Sequence, residues 1–176
     1  LVLSAYQLSL LAVNEQGEPL TGIITLLDTR PQQTYAQLLE RVDVHRLYRH
    51  TGCPPLFHYP LSKVFWLKTA HREVFDKARW FVGAKDYLMY RLTGRWVTEA
   101  SLGTATQLMN LHTLQWDAYA LEVLDLEAER LPTPVDAGRV LAELSPSVCA
   151  ELGVAARCRL VPGVYDGGAV AIGIGA

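Results

Sequence analysis

Cysteine is sparse and unpatterned: Cys53, Cys149 and Cys158 are the only three, and no two form a Cys-x-x-Cys pair. An odd count with that spacing supports neither a disulfide framework nor a thiolate zinc site, and a reducing cytoplasm is the natural compartment. An excess of basic charge is missing too. Sixteen Lys and Arg stand against eighteen Asp and Glu, a net charge of −2, so no positive field is present to hold nucleic acid or an anionic membrane. No apolar run approaches the roughly 20 residues that span a bilayer. No charged n-region precedes the first apolar stretch, as a secretory signal would require. Repeats and low-complexity tracts are absent. His45, His50, His71 and His112 lack metal-ligand spacing and read as structural or surface residues. Gly173-x-Gly175 lacks both a third glycine and a strand–loop–helix frame, which excludes a dinucleotide loop.

What is present fits one sizeable core. The chain has 176 residues, half of them hydrophobic and about a fifth charged, the proportions of a globular domain. It opens on Leu1-Val2-Leu3 without a methionine and closes inside an apolar glycine-rich run, so we expect a piece of a longer protein. Residues 1–30 read as strand and hairpin: Leu8 to Val13, a turn at Asn14 to Pro19, then a β-rich run from Leu20 to Leu27. Residues 31–137 are mostly helical by period. Tyr35, Leu38, Leu39 and Val42 share a face, and Leu61, Val64, Leu67 and Lys68 give a second helix. Phe75 and Trp80-Phe81-Val82 lead into a third helix, stopped at Gly94. Residues 97–116 show no period. Asp117 caps a helix that runs to Leu126. Residues 138–176 return to strand, helix and strand, with Val140-Leu141 as the first strand, Ser145-Pro146 opening the helix, and Leu160-Val161 as the last strand. The sum is an α/β domain with a large helical insertion. Trp66, Trp80, Trp96 and Trp116 read as core rather than as a sugar-stacking platform, and Arg30, Arg41, Arg46 and Arg49 as a solvated face.

The final segment carries chemistry. Cys158-Arg159-Leu160-Val161-Pro162 leads into Gly163-Val164-Tyr165-Asp166-Gly167-Gly168, one acidic residue among glycines. Such an Asp is either a turn residue that caps the next helix, or a carboxylate displayed where a ligand can come close.

Several separated signatures bear on that choice. They are Leu20 to Arg30 with its Asp28-Thr29-Arg30, Thr51-Gly52-Cys53-Pro54 followed by Lys63-Val64-Phe65-Trp66-Leu67, Asp86-Tyr87-Leu88 with Leu92-Thr93-Gly94, Asn110 to Asp117 with Leu131-Pro132, and Pro162 to Ala176. In this order they resemble the FGGY family of carbohydrate kinases across essentially the whole chain. The resemblance implies a ribonuclease-H-like (actin-like ATPase) fold. The chain would be part of its N-terminal, sugar-binding domain, with the C-terminal ATP-binding domain absent. It implies ATP and Mg²⁺, bound mainly outside this chain, and a small sugar, sugar acid or polyol as substrate. A homodimer of the longer protein stays open, and the fragment alone is expected to be inactive.

The resemblance also implies site residues. Asp166 stands at the position of the general base, with Gly167 and Gly168 keeping its approach clear. Gln7 and Leu8 match a substrate-contacting pair, Leu26 replaces a tryptophan that packs on the substrate, and His58 falls close to a further substrate position, although a lone loop histidine is also an ordinary surface residue. Gln7 can hydrogen-bond a hydroxyl; Leu8 and Leu26 cannot. That loss supports a rival reading, a non-catalytic relative that binds a ligand or partner as a sensor or scaffold. Glu99 and Gly103-Thr104 stand where many relatives carry Asp and Ala-Ser, and nothing is drawn from those changes.

Overall fold

A computed structural model describes residues 1–5 and 7–175; Ala176, the last residue of the glycine-rich run, lies outside them. The fold is built around one helix, α3 (Pro60–Ala70). Pro60 supplies its first turn without needing a donor, and every residue from Pro60 to Leu67 is buried, Ser62 and Lys63 included. A helix buried on all sides packs on several layers at once. Around Leu61, Val64, Phe65 and Trp66 gather Leu38 from α1 (Tyr35–Leu39), Phe75 from α4 (Arg72–Lys77) and Leu124 from α7 (Ala118–Leu124).

The strands are short, two or three residues each. Strand β1 (Leu11–Val13) pairs antiparallel with β2 (Trp80–Val82), with Leu11 opposite Val82 and Val13 opposite Trp80. Strand β3 (Val97–Glu99) pairs in parallel with β4 (Thr133–Val135). Strand β5 (Ala142–Glu143) pairs antiparallel with β6 (Arg159–Leu160).

Helix ends follow their sequence signals. Helix α2 (Val44–Thr51) begins at Asp43, whose carboxylate accepts the His45 and Arg46 amides at 3.0 Å, and ends at Gly52 with φ +71°. Helix α5 (Ala84–Thr93) stops at Gly94, also at φ +71°. Asp117 caps α7 through the Ala120 amide at 3.0 Å. Ser145 caps α8 (Pro146–Leu152) through the Val148 amide at 3.3 Å, with Gly153 in the left-handed region beyond it.

Four expectations are corrected. Trp80-Phe81-Val82 is strand β2 rather than the start of a helix: three apolar residues before Gly83 satisfy their backbone by pairing with β1, and the helix starts only at Ala84. The run from Leu20 to Leu27 is not a continuous strand. It touches the β1 segment at single bridges, Ile24 to Leu10 and Pro19 to Val13, because Thr21-Gly22 interrupts the ladder. The intervening turn is as expected, with Asn14 accepting the Glu18 amide at 2.8 Å and Gly17 at φ +82°. The strand expected at Val140-Leu141 lies two positions later, at Ala142-Glu143, where Leu160 and Arg159 supply the partners. The aperiodic stretch after residue 97 hides β3 and α6 (Ala100–Thr104), two elements too short to show a period.

Candidate functional site

An open cleft of about 530 Å³ is lined from five directions. The bend at Gln7 and Leu8 forms one wall, and the end of α2, Thr51-Gly52-Cys53, forms the next. Tyr59, just before α3, and Ser101, Thr104 and Ala105 from α6 and its end add polar groups. Tyr165 and Gly168 close the cleft at α9 (Asp166–Gly173). Apart from Gln7, the hydrogen-bonding side chains in this lining are mostly hydroxyls, groups that donate to and accept from sugar hydroxyls.

The Gln7–Leu8 bend is unusual. Leu8 has φ +60°, a region L-residues other than glycine, asparagine and aspartate seldom occupy. Its carbonyl accepts from the Lys63 ammonium, which also donates to the Ile24 carbonyl at 3.3 Å. Lys63 is fully buried on α3, and burial pulls its pKa down to about 8, against a smaller opposing pull from Asp28. Asp28 is itself occupied by Arg30, whose guanidinium reaches it at 2.5 Å and holds its carboxyl below the usual range.

Asp166 is exposed and is the first residue of α9, where an acidic group complements the helix N-terminus. It falls between Tyr165 and Gly168, which both line the cleft. Gln7 and Leu8 line it as well. His58 and Leu26 do not: they meet each other beside it, the His58 Nδ1–H donating to the Leu26 carbonyl at 3.1 Å, with the His58 ring against Phe57 at 3.9 Å and the Leu26 side chain exposed. The structure thus brings Gln7, Leu8, Tyr165 and Gly168 around one space, and leaves Leu26 and His58 as a neighbouring pair.

Several lining residues carried no role in the sequence reading. Tyr59 and Cys53 lie side by side, burial pushing the tyrosine up to about 12 and raising the thiol; the Cys53 thiol donates to the Thr104 carbonyl at 3.2 Å. Ser101 and Thr104 come from the aperiodic stretch. The available signal was composition, since small hydroxyl residues without a period mark a surface that bonds rather than packs. The four tryptophans are absent from this lining. Trp66 is buried in the core, and Trp96 stacks on Tyr90 at 3.7 Å. Trp80 and Trp116 border a separate cleft of about 370 Å³. Arg46 and Arg41 lie over the Tyr119 and Phe65 rings, at 4.0 and 5.6 Å. His50 donates from Nδ1 to Asp117 at 2.9 Å.

Together these features describe a mixed α/β domain with a hydroxyl-rich cleft beside a displayed carboxylate. Residues 1–173 match the N-terminal domain of the FGGY family of carbohydrate kinases. The chain belongs to that family. It is 31% identical over 168 residues to a gluconokinase of Bacillus subtilis (strain 168), covering 96% of this chain and 33% of that protein. Its fold superposes on a ligand-bound xylulose kinase from Lactobacillus acidophilus with a TM-score of 0.92 at 31% identity, covering 98% of this chain and 35% of the other. For gluconate kinase from the same organism the TM-score is 0.87 at 31% identity, covering 93% and 33%. The chain therefore spans about a third of the relatives it matches. Among the described residues no helix is long and apolar enough to cross a membrane. The three thiols are free.

Proposed function

We propose that the complete protein transfers the terminal phosphoryl group of ATP to a hydroxyl of a small sugar, sugar acid or polyol, with this domain binding the acceptor and Asp166 acting as general base. The reading rests on one juxtaposition: Tyr165 and Gly168, on either side of Asp166 in the chain, line the same hydroxyl-rich cleft as Gln7 and Leu8. Phosphoryl transfer passes through a loose transition state, so the protein mainly positions the two oxygens and balances charge. Here the Gln7 amide and the Thr104 hydroxyl orient the acceptor. The Asp166 carboxylate takes the proton of the attacking hydroxyl as the new bond forms. Leu26 and His58 border the acceptor pocket from outside its lining and act on the rim. The three small sheets are read as margins of a ribonuclease-H-like half, with residues 31–137 inserted into it, and the three free thiols fit a reducing cytoplasm.

Mg²⁺ accompanies ATP in this chemistry. Among the described residues no three His, Cys, Asp or Glu side chains stand together as a metal site. Each step above is assigned to this chain's own side chains.

The test is ADP formation by the complete protein with MgATP against gluconate, xylulose, rhamnulose and glycerol, with and without Asp166→Asn. Turnover on one compound, largely lost in the variant, supports the reading. Failure on every acceptor, with the variant indistinguishable from the parent, favours a non-catalytic binding relative, for which the apolar Leu8 and Leu26 side chains are the supporting observation.

A further inference from the structure

The turn that carries Asp166 is held from beneath by two charges that face no solvent. Lys85 on α5 and Glu99 at the end of β3 are both fully buried and pair at 3.1 Å. The same ammonium donates to the Gly163 carbonyl at 2.9 Å, three residues before Asp166. The Glu99 carboxylate accepts the Ser101 hydroxyl at 2.7 and 2.9 Å, together with the Ser101 and Leu102 amides at 2.7 and 3.1 Å. Ser101 in turn accepts the Tyr165 amide at 3.4 Å, immediately before Asp166. The backbone of the turn has little freedom of its own. Gly163 sits at φ +68°, and a Cβ there would lie 2.7 Å from the Leu3 carbonyl oxygen.

A fully buried ion pair is weak evidence of stabilisation, since desolvating both charges offsets most of their attraction. This one does something more specific: its two ends reach one turn from two sides. We propose that the Lys85–Glu99 pair is a positioning device for Asp166, fixing the Gly163–Tyr165 turn so that the carboxylate stands at a set place beside the cleft. The inference rests on the general-base reading. Neither charge touches the acceptor; both act through the turn.

The experiment is a double-mutant cycle in the complete protein. The neutral replacement Lys85→Met plus Glu99→Gln, and separately Ser101→Ala, are each made in the parent and in the Asp166→Asn background. Turnover and acceptor KM are measured apart, together with hydrogen exchange of the amides from 163 to 168. In the parent, the neutral replacement lowers kcat by roughly 10- to 100-fold while KM holds within about threefold, the pattern of a misplaced catalytic group. In the Asp166→Asn background the same replacement lowers the residual kcat no further. Exchange at the Tyr165 amide rises in Ser101→Ala. An equal fractional loss in both backgrounds, or a loss confined to KM, overturns the positioning role while leaving the general base intact. If Asp166→Asn by itself leaves kcat unchanged, the general-base reading fails and the positioning role fails with it. If the neutral replacement does not fold, Ser101→Ala decides by the same criterion, since it removes one hydroxyl and leaves both charges paired.

Discussion

Replacing Asp86 with Asn should stabilise the protein at neutral and alkaline pH and not in acid. Asp86 is buried near the start of α5, where one carboxylate oxygen accepts the Gly83 amide at 2.8 Å. Burial raises its pKa from 3.8 to about 7; the Gly83 amide, Thr98 and Lys85 pull the other way, and Glu99 adds to the rise. An aspartate held at about 7 in the folded state and 3.8 in the unfolded one binds more protons folded than unfolded between those values. Its favourable contribution is therefore complete below pH 3.8 and is lost as pH rises to about 7. The size of that loss is about 4 kcal/mol. Asparagine keeps an oxygen for the Gly83 amide and has no charge to desolvate. We expect Asp86→Asn to raise the unfolding free energy by roughly 2–4 kcal/mol at pH 8, and to change it by less than about 1 kcal/mol near pH 4. Urea unfolding of the complete protein across pH 4 to 8, followed by tryptophan fluorescence, measures the difference. A gain that is the same at both ends of the range, or a loss at pH 8, would refute the argument that burial of this carboxylate sets its titration.

Three further outcomes test the local physics. Gly17→Ala should cost about 2–3 kcal/mol in thermal unfolding, because Gly17 sits at φ +82° and a Cβ there would meet the Tyr90 hydroxyl at 2.3 Å. That clash also pushes Tyr90 off Trp96, so near-ultraviolet circular dichroism should change with it. Ser145→Ala removes the cap of α8 and should cost about 1 kcal/mol in the same assay, while Ser145→Asp should restore most of it. Leu8→Gly should leave stability within about 1 kcal/mol of the parent, since relief at φ +60° offsets the lost side chain; a loss above about 2 kcal/mol would show that the bend is not strained.

Much of this was legible in the chain because local signals and packing agree. Asp117 and Ser145 each cap a helix in the structure, and Gly94 ends another, all three as their sequence positions lead one to expect. Lys63 to Leu67, the Asp86-Tyr87-Leu88 and Leu92-Thr93-Gly94 pair, and the final glycine-rich turn carry the family resemblance in sequence alone, and residues 1–173 match the family's N-terminal domain. What stayed hidden lies in tertiary pairing. Trp80 to Val82 carries no sign of strand until β1 lies beside it, and three-residue elements such as β3 have no period to read. Ser101, Thr104 and Tyr59 are unremarkable apart; only the fold gathers them with Gln7 and Leu8 around one cleft. Nothing in the spacing of Lys85 and Glu99 along the chain reveals that they meet in the interior.

The most direct measurement of the central claim separates binding from turnover at Asp166. Calorimetric binding of the acceptor and steady-state turnover with MgATP would be compared for the complete protein and its Asp166→Asn variant. A general base predicts that the variant binds the acceptor within several-fold of the parent while kcat falls by roughly 100- to 10,000-fold. Unchanged turnover in the variant would contradict the account and leave Asp166 as the residue that opens α9 and nothing more.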